Sequence, residues 1–466
     1  MKQGRRGSKK HGSGAAALWL LLPLLVLIVL KTNLLPQFAR YSMVGSPPSA
    51  ASTSTHGVTS NVDATKALAA PPIISSKLTC NFSNHQSNTC SMEGDLRIHG
   101  KSATVYVVSA STYRPENATI KLRPYARKWE DQVMLLVREV TMRSSPPAGS
   151  AAADDPPPPP QCSVRHDVPA VVFSTGGYNR NFFHVMTDVI IPLYLTAREY
   201  NGHVQLLATD YEPKWIAKYK AILAALSSYP VIDLDSEPED TVRCFPSAHV
   251  GLESHKELGI VPGLSHKGYT MVSFRDFIRS AYSLQRPRVS AGRKKPRLVM
   301  ILRRNSRQLK NEDDAIAAAA NVGFEVVAAG PDDVSDLERF PGVVNSCDVL
   351  MGVHGAGLAN MLFLPHNATV VQIIPWGELK WACRHSYGDP VPDMGLRYLE
   401  YEATAEETSL KDSYPRDHAV FTDPLSIHRQ GFDKMWNIFI NGQHVIVDID
   451  RFTGFMKQLY QSITTE

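Results

Sequence analysis

The fold class follows from one stretch, Val349-Leu350-Met351-Gly352-Val353-His354-Gly355-Ala356-Gly357-Leu358-Ala359-Asn360. Its first five residues are apolar and predict a buried strand, the glycines predict a turn, and the residues after the turn predict a helix. Such a junction presents unpaired backbone N–H groups and the positive end of a helix dipole. It therefore predicts a phosphate-binding turn in an α/β protein, although many strand–turn–helix junctions bind nothing.

A second apolar run, at residues 298–302, leads directly into a basic cluster that contains Arg303, Arg304 and Arg307. In open α/β sheets, ligands gather at the carboxyl ends of the strands, and His354 also stands at such an end. Guanidinium groups bind phosphate oxygens well because their geometry allows paired hydrogen bonds. The two segments together therefore predict a diphosphate site.

The glycine pattern separates two classes of nucleotide-binding protein. Gly352, Gly355 and Gly357 do not follow the order G-x-G-x-x-G. About twenty residues further on, residues 370–375 contain no acidic residue for a ribose hydroxyl. The pattern argues against NAD binding and favours a nucleotide-sugar transferase over a dinucleotide oxidoreductase.

The N-terminal half contains a candidate general base. A short buried strand is predicted at residues 170–173, followed by a polar, glycine-containing turn and a helix at residues 182–199. His184 and Asp188 are four residues apart on that helix, so they share one face. An imidazole oriented by a carboxylate can remove a proton from a sugar hydroxyl. The alternative is a helix start in which the pair only binds loop backbone.

Strand and helix patterns alternate along most of the chain, which predicts parallel sheets covered by helices. A length of 466 residues is enough for two hydrophobic cores. We therefore predict an α/β protein with two Rossmann-like domains facing a cleft, residues 77–284 and 297–466, joined by a basic linker at residues 285–296. A low-complexity insert at residues 144–160 predicts a disordered surface loop. The predicted strands are 103–108, 133–140, 170–173, 204–208, 231–234, 297–302, 324–328, 349–353 and 369–374, and the predicted helices are 182–199, 214–226, 311–321, 333–340, 356–363 and 448–463.

The N-terminus predicts a membrane anchor. A basic tail at residues 1–14 precedes an uncharged run, and a signal-anchor helix is predicted at residues 15–35 with the tail in the cytosol. A cleaved signal peptide is the alternative, but residues 34–38 offer no small-x-small cleavage site. Residues 36–76 are rich in Ser, Thr, Ala and Pro and predict a flexible stem. The folded body is therefore expected in the lumen of the secretory pathway.

Cysteines and glycosylation sequons agree with this compartment. The sequons lie at Asn81, Asn117 and Asn367. Cys80 and Cys90 are close enough in sequence to form a local disulfide. The other cysteines, Cys162, Cys244, Cys347 and Cys383, could form two more bonds, with the pairing left open.

Charge gives little support to a nucleic-acid partner, since the net charge is only +4 and the basic residues are mostly scattered. The triplet Asp233-Leu234-Asp235 resembles the D-x-D that holds a divalent cation beneath a nucleotide sugar in another transferase fold. Because the phosphate-binding features lie far downstream, we favour a two-domain enzyme without a required metal. Metal dependence through this triplet is the alternative.

Several segments together resemble glycosyltransferase family 61: residues 80–97, 173–178 with His184 and Asp188, 244–245, 302–307 and 348–360. The resemblance implies a single-pass type II Golgi membrane enzyme of the GT-B fold. It also implies a UDP-sugar donor and inversion of configuration. Within the family, the chain looks most like the group that decorates xylan and is expanded in grasses.

The resemblance assigns roles to individual residues. The donor diphosphate would be bound by Arg303, Arg304, Arg307, His354, Gly355, Ala356 and Gly357, with Asn360 supporting the turn. Either His184 or Asp188 would be the base. Acceptor contacts would come from Tyr178, Asn181 and Trp376, and Trp381 could also stack on a sugar ring, unless these tryptophans only pack in the core.

The predicted function is therefore transfer of a pentose from UDP-xylose or UDP-arabinofuranose to the β-1,4-xylan backbone. We prefer β-1,2-xylosyl transfer slightly over α-1,3-arabinofuranosyl transfer. The alternatives are transfer to N-glycans or proteins and, outside enzymes, a non-catalytic Golgi scaffold. No cofactor is expected to be required, and the expected partners are the xylan acceptor, the Golgi membrane and, as a further hypothesis, other Golgi glycosyltransferases in complexes.

Overall fold

Two β-sheets organise the part of the chain that the structure describes. This computed structural model describes residues 76–108, 119–145, 158–289 and 295–465, which belong to one compact unit. The strands, numbered in chain order, are β1 Lys77–Asn81, β2 Thr89–His99, β3 Thr104–Val108, β4 Thr119–Leu122, β5 Val140–Ser145, β6 Val164–Arg165, β7 Ala170–Ser174, β8 Gln205–Thr209, β9 Ile232–Asp233, β10 Val242–Val250, β11 Arg297–Ile301, β12 Glu325–Ala329, β13 Val349–Val353, β14 Thr369–Ile374 and β15 Arg397–Glu402.

The N-terminal sheet, β1 to β10, is mixed. Its parallel part has the order β10-β7-β8-β9, whereas β2 runs antiparallel to β1, β3 and β10. The prediction of a parallel sheet is therefore wrong for its first strands. Short connections, such as residues 100–103 between β2 and β3, reverse the chain, while a parallel pair needs a longer crossover.

The C-terminal sheet is parallel throughout, as predicted, with the order β12-β11-β13-β14-β15. The direction in which successive strands are added reverses between β11 and β13. In open α/β sheets, ligands bind beyond the carboxyl ends of the strands at such a reversal. The arginine cluster follows β11 and the glycine turn follows β13, so the topology brings both motifs to this place.

Helices connect the strands, most of them in short pieces. The α-helices are Asp131–Met134, Phe182–His184, Ile191–Ala197, Pro213–Lys218, Lys220–Leu226, Met271–Ala281, Glu312–Val322, Pro331–Ser335, Phe340–Asn345, Lys380–Cys383, Ala419–Thr422, Pro424–His428, Phe432–Met435 and Ile449–Thr464. Wider π-helical turns are Val185–Ile190, Arg384–Gly388 and Trp436–Asn441. Tighter 3₁₀ turns are Arg198–Tyr200, Pro262–Leu264, Ala356–Phe363, Pro392–Met394 and Ser409–Asp412.

The strands predicted at residues 349–353 and 369–374 are confirmed without any shift in their ends. The strand predicted at residues 133–140 is wrong, because residues 131–136 form a helical turn and only Val140 belongs to a strand. Leu135 and Leu136 are exposed by 68% and 60%. Strand β15 was not predicted. It is rich in charged residues because it lies at the edge of its sheet, where such residues discourage pairing with another chain.

One hydrophobic cluster joins the two sheets. It includes Phe173 of β7 and Leu350 of β13, together with most of the helical residues 182–197, here called the site helix. Phe182 at the start of the site helix stacks on Phe363 in the helix that follows the glycine turn, with ring centroids 6.3 Å apart. Packing therefore fixes the candidate base of one half relative to the turn of the other.

The predicted tail at residues 1–14 and anchor at residues 15–35 lie outside the described residues. The same holds for the stem except its last residue, for residues 146–157 of the predicted surface loop, and for Asn117. In the described ranges, no helix combines the length and the apolar character needed to span a bilayer.

Two disulfides are present among the described cysteines. Cys80 and Cys90 are bonded across β1 and β2, as predicted, and Cys162 is bonded to Cys244. Cys347 and Cys383 are buried free thiols, so only one of the two further bonds forms. The sequon asparagines Asn81 and Asn367 are both exposed.

Candidate active site

The loops after β11 and β13 meet where the strand order reverses. Ile301 at the end of β11 pairs with Gly352 of β13. Just beyond, the guanidinium of Arg303 lies against the backbone of Gly355, where an added Cβ would stand 2.1 Å from Arg303 Nη1. Gly355 also has a φ of +152°, which other residues adopt only with strain. The arginine loop and the glycine turn therefore form one continuous surface.

Arg303 and Arg307 are cations without an acidic partner among the described residues. Arg303 donates from Nε to the carbonyl oxygen of Ser306 at 2.9 Å, and Nε of the 8% exposed Arg307 is buried without a hydrogen-bond partner. Burial, followed by the charge of Arg303, lowers the pKa of Arg307 to about 10, so the group remains charged at neutral pH. Burial also lowers the pKa of Arg303. Two desolvated, unpaired guanidiniums are complementary to a diphosphate.

His354 stands beside this pair as a neutral hydrogen-bond donor. Its Nδ1 lies 2.7 Å from the side-chain nitrogen of Gln372, whose oxygen accepts a bond of 2.7 Å from the Tyr398 hydroxyl. An amide donor at Nδ1 leaves the proton of the neutral ring on Nε2. Burial, and then the charges of Arg307 and Arg303, lower the pKa of His354 to about 3. The ring can therefore donate to an anion without carrying charge itself.

The other residues predicted to bind the donor differ in burial and in their contacts. Asn360 is fully buried and donates from Nδ2 to the carbonyl oxygen of Gly357 at 2.9 Å, which braces the turn. Ala356 and Gly357 are partly exposed in the first turn of the following helix. Arg304 instead forms an exposed ion pair of 2.8 Å with Glu312, so the structure does not bring it to Arg303 and Arg307.

The candidate base is joined to its carboxylate partner by a hydrogen bond. Nδ1 of His184 lies 3.1 Å from Oδ2 of Asp188 across the π-helical turn of the site helix. Asp188 is fully buried and also accepts bonds from the Tyr125 hydroxyl at 2.9 Å and from Arg127 Nη1 at 3.2 Å. Since every neighbour donates to Asp188, its oxygens are occupied, whereas Nε2 of His184 is not engaged in this network.

Arg127 also carries contacts to other carboxylates. It pairs with Glu130 and, at 2.9 Å, with Glu257. Tyr178 donates its hydroxyl to Glu130, and its ring packs on His184 with centroids 4.3 Å apart. Burial opposes the charge of Arg127, but the surrounding carboxylates raise its pKa above the ordinary value. Its charge is therefore compensated, unlike that of Arg303 and Arg307.

Tyr387 connects the two clusters. Its ring lies 5.3 Å from the ring of Phe183 in the site helix and 5.4 Å from the ring of His354. Burial raises its pKa, so the hydroxyl stays neutral. The ring of Tyr387 therefore links the site helix to the residue that begins the glycine turn.

Sequence reasoning missed Tyr387, and it also missed Tyr125, Arg127 and Glu257. None of these residues stands in a glycine-rich turn or at the end of a predicted strand. The only available signal was the mixture of aromatic and charged residues at 123–130, which matches no motif by itself.

The residues predicted to bind the acceptor lie in different environments in the structure. Tyr178 lies beside His184, while Asn181 accepts the backbone N–H of Phe183 at 3.1 Å as the cap of the site helix. Trp376 is partly buried and donates from Nε1 to the carbonyl oxygen of Val420 at 3.0 Å, so it serves packing. Trp381 is 62% exposed.

The acidic triplet after β8 is used within the fold. Asp235 pairs with Arg138 and accepts the backbone N–H of Tyr211 at 2.9 Å, and Asp233 accepts the N–H of Asp235 at 2.9 Å. These carboxylates stabilise neighbouring loops through an ion pair and backbone hydrogen bonds. The contacts therefore give no direct support to a cation site at the triplet.

Substitution of Gly355 by alanine tests the contact between turn and arginine. The new Cβ would displace the Arg303 guanidinium from its position, so we expect the affinity for UDP to fall at least about tenfold. Gly342 is the matched control, because an added Cβ meets no atom within 4 Å and alanine favours its helix. Calorimetric titration with UDP measures both variants, and equal affinities in Gly355→Ala and Gly342→Ala would exclude the contact.

A desolvated cation pair and a histidine–aspartate pair, in an α/β protein, fit the class of a glycosyltransferase. The model of the Glycosyltransferase 61 family matches residues 182–371, which include both clusters. A β-1,2-xylosyltransferase of Oryza sativa subsp. japonica is 41% identical over 396 residues, covering 80% of this chain and 82% of that protein. The chain belongs to the glycosyltransferase 61 family.

Other relatives have related names. An α-1,3-arabinosyltransferase of Oryza sativa subsp. japonica is 44% identical over 392 residues, 83% of this chain. The matching part of the chain spans 65% of that relative's length. A xylan glycosyltransferase of Arabidopsis thaliana is 32% identical over 402 residues, covering 82% of this chain and 79% of that protein.

Proposed function

We propose that this protein is an inverting glycosyltransferase that moves a pentose from a UDP-sugar to the β-1,4-xylan backbone, with two Rossmann-like halves in a GT-B arrangement. The observation that carries the proposal is the pair of the partly buried Arg303 and the buried Arg307 at the strand reversal, which have no acidic partner in the part of the chain that the structure describes. The relatives, named as xylosyl-, arabinosyl- and xylan glycosyltransferases, support the choice of pentose and acceptor.

The cation pair serves the departing UDP. As the bond between the anomeric carbon and the phosphate oxygen breaks, its electron pair moves onto the diphosphate. Arg303, Arg307 and the Nε2 proton of His354 would stabilise this growing charge, because they are already oriented and shielded from water. Since two guanidiniums supply the positive charge, we propose that no metal is required.

His184 is the better candidate for the base. Asp188 is inaccessible and accepts three hydrogen bonds, so its role is to orient the imidazole. The side chain of His184 is 16% exposed, and its Nε2 can take the proton of an acceptor hydroxyl as that oxygen bonds to the anomeric carbon. Attack from the face opposite to UDP inverts the configuration.

The identity of the donor pentose is the more specific part of the proposal. We place β-1,2-xylosyl transfer from UDP-xylose first and α-1,3-arabinofuranosyl transfer from UDP-arabinofuranose second. Relatives of both names match at 41% and 44% identity, so identity does not separate the two donors. Pocket contacts that distinguish pentoses are worth only ~1–3 kcal/mol each.

We further propose residence in the Golgi membrane as a single-pass type II protein with a lumenal body. The disulfides Cys80–Cys90 and Cys162–Cys244 support an oxidising compartment, and the exposed Asn81 and Asn367 are available to glycosylation enzymes. Complexes with other Golgi glycosyltransferases belong to the same proposal.

Incubation of the purified protein with UDP-xylose or UDP-arabinofuranose and xylo-oligosaccharides tests the function. We expect a new pentosyl-oligosaccharide of inverted configuration, identified by mass spectrometry and NMR. N-glycan and protein acceptors are tested in the same way. Hydrolysis of the UDP-sugar without a new glycoside on any acceptor would contradict the proposed transferase activity. A non-catalytic scaffold would retain its partners after Arg303→Ala or His354→Ala, whereas the enzyme should lose transfer.

A further inference from the structure

We infer that the acceptor is bound as an extended polymer along a strip formed by Trp129, Arg127, Glu257, His385 and Trp381. This acceptor strip rests on the proposed function and extends it, because it assigns subsites to several sugar units. Its end residues come from different halves of the chain. Trp129 follows Arg127 in the N-terminal half, and Trp381 precedes Tyr387 in the C-terminal half.

Contacts connect the strip from Trp129 to His385 through Arg127 and Glu257. The guanidinium carbon of Arg127 lies 5.0 Å from the ring centre of Trp129, and Arg127 Nη1 lies 2.9 Å from Glu257 Oε1. The other oxygen of Glu257 is 4.0 Å from His385 Nε2. Trp381 is four residues before His385 on one helical segment, so both side chains leave the same side of it.

The strip runs past the candidate base. Arg127 bonds to Asp188, which orients His184, and Glu257 belongs to the same network. A polymer lying on the strip would therefore place one sugar unit near His184 and leave further units to contact Trp129 and Trp381.

Both ends expose apolar surface. Trp381 is 62% exposed and Trp129 is 38% exposed, with the His85 ring stacked on Trp129 at a centroid distance of 5.5 Å. Leu135 and Leu136, which follow Trp129 in the chain, are exposed by 68% and 60%. Contiguous exposed apolar surface that is rimmed by polar residues marks interaction sites in soluble proteins. Pyranose rings present apolar C–H faces, which pack against aromatic rings.

The loop that carries the Trp129 end is held in place by backbone contacts. An added Cβ at Gly176 would stand 2.7 Å from the carbonyl oxygen of Leu136, so the loop lies directly on the glycine turn after β7. The backbone N–H of Arg138 donates to Asp210 at 2.9 Å. The exposed side chains at this end of the strip therefore belong to a segment whose backbone is fixed by these contacts.

Charge along the strip favours a neutral, hydroxyl-rich polymer. Arg127 is compensated by three carboxylates. Near Trp381, Lys380 and Arg384 pair with Glu400 at 2.7 and 2.8 Å. An acidic polymer or a membrane surface would instead require uncompensated cations, such as the pair at Arg303 and Arg307. A β-1,4-linked pentopyranose chain fits this surface.

Chain-length dependence tests the strip. The purified full-length protein and the variants Trp129→Ala, Trp381→Ala and their double are assayed with xylobiose and with xylohexaose. We expect KM for xylohexaose to rise about tenfold or more in the double variant, because interface tryptophans dominate binding. KM for xylobiose and the affinity for UDP should stay within about twofold. Trp436→Ala is the matched control, since Trp436 is 39% exposed and belongs to neither cluster.

The outcomes separate the strip from the proposed function. The strip is wrong if the wild type transfers pentose and the KM values of the double variant for xylobiose and xylohexaose match those of Trp436→Ala. Retardation of each protein in gels containing soluble xylan is measured in parallel and does not need transfer. If the wild type transfers nothing while the double variant still loses retardation, the strip holds and the proposed function fails.

Discussion

Arg307→Met is expected to abolish most UDP binding and leave the protein at least as stable as the wild type. Arg307 is buried with its Nε unpartnered, and its pKa is lowered to about 10, so its desolvation opposes folding. Methionine occupies similar space without charge, which relieves this cost. The same change removes a cation that stabilises the leaving diphosphate, so kcat/KM should fall by about 10² to 10³-fold.

Arg304→Met is the control for this prediction. Arg304 belongs to the same cluster in the sequence, but it is exposed and pairs with Glu312. An exposed ion pair contributes roughly 0–1 kcal/mol, so stability and transfer should both change little. Thermal unfolding and calorimetric titration with UDP measure the two properties. Comparable loss of UDP binding in both variants, or a large loss of stability in Arg307→Met alone, would contradict an unpaired anion site at Arg307.

His184→Ala is expected to lower kcat by about 10³-fold while the dissociation constant of UDP stays within about twofold of the wild type. The imidazole is oriented by Asp188, and its site helix contacts Tyr387 through Phe183, whereas His354 contacts Tyr387 from the glycine turn. Its removal should therefore affect proton transfer from the acceptor and not the binding of the nucleotide. Steady-state kinetics and UDP titration separate the two effects.

Chemical rescue provides the control for His184. If the residue acts as a base, added imidazole should restore part of the rate in His184→Ala. Asp188→Asn should lower kcat and respond little to imidazole, because the orienting partner is lost while the ring remains. An unchanged kcat in His184→Ala, or loss of UDP binding equal to the loss of rate, would exclude the assignment as base.

Sequence patterns were sufficient for the strands and the glycine turn that position the C-terminal half of the site, but not for Tyr387 or for the different position of Arg304. Strand β13 and the glycine turn are read directly from a short apolar run followed by glycines, because both structures depend on local preferences. The parallel order of β11 to β14 follows from alternating strands and helices. The disulfide Cys80–Cys90 was predicted from proximity in the chain, whereas Cys162–Cys244 spans 82 residues and could not be assigned.

Patterns failed where the environment determines the conformation. Residues 133–140 were predicted as a strand, but their first residues belong to a helical turn that exposes Leu135 and Leu136. The antiparallel pairing of β2 also depends on partners distant in sequence. Neither periodicity nor propensity encodes which strand will be the neighbour.

The sequence by itself determined that this is an α/β protein with a glycine turn after a buried strand, an arginine cluster and a histidine–aspartate pair, since each of these is local. Only the tertiary structure decided which arginines lack an acidic partner among the described residues. It also decided that Asp188 is enclosed by Tyr125 and Arg127, and that Tyr387 contacts both Phe183 and His354. Desolvation and ion pairing depend on groups that are far apart in the chain. For that reason Arg304 and Arg307 look alike in the sequence and differ in the folded protein.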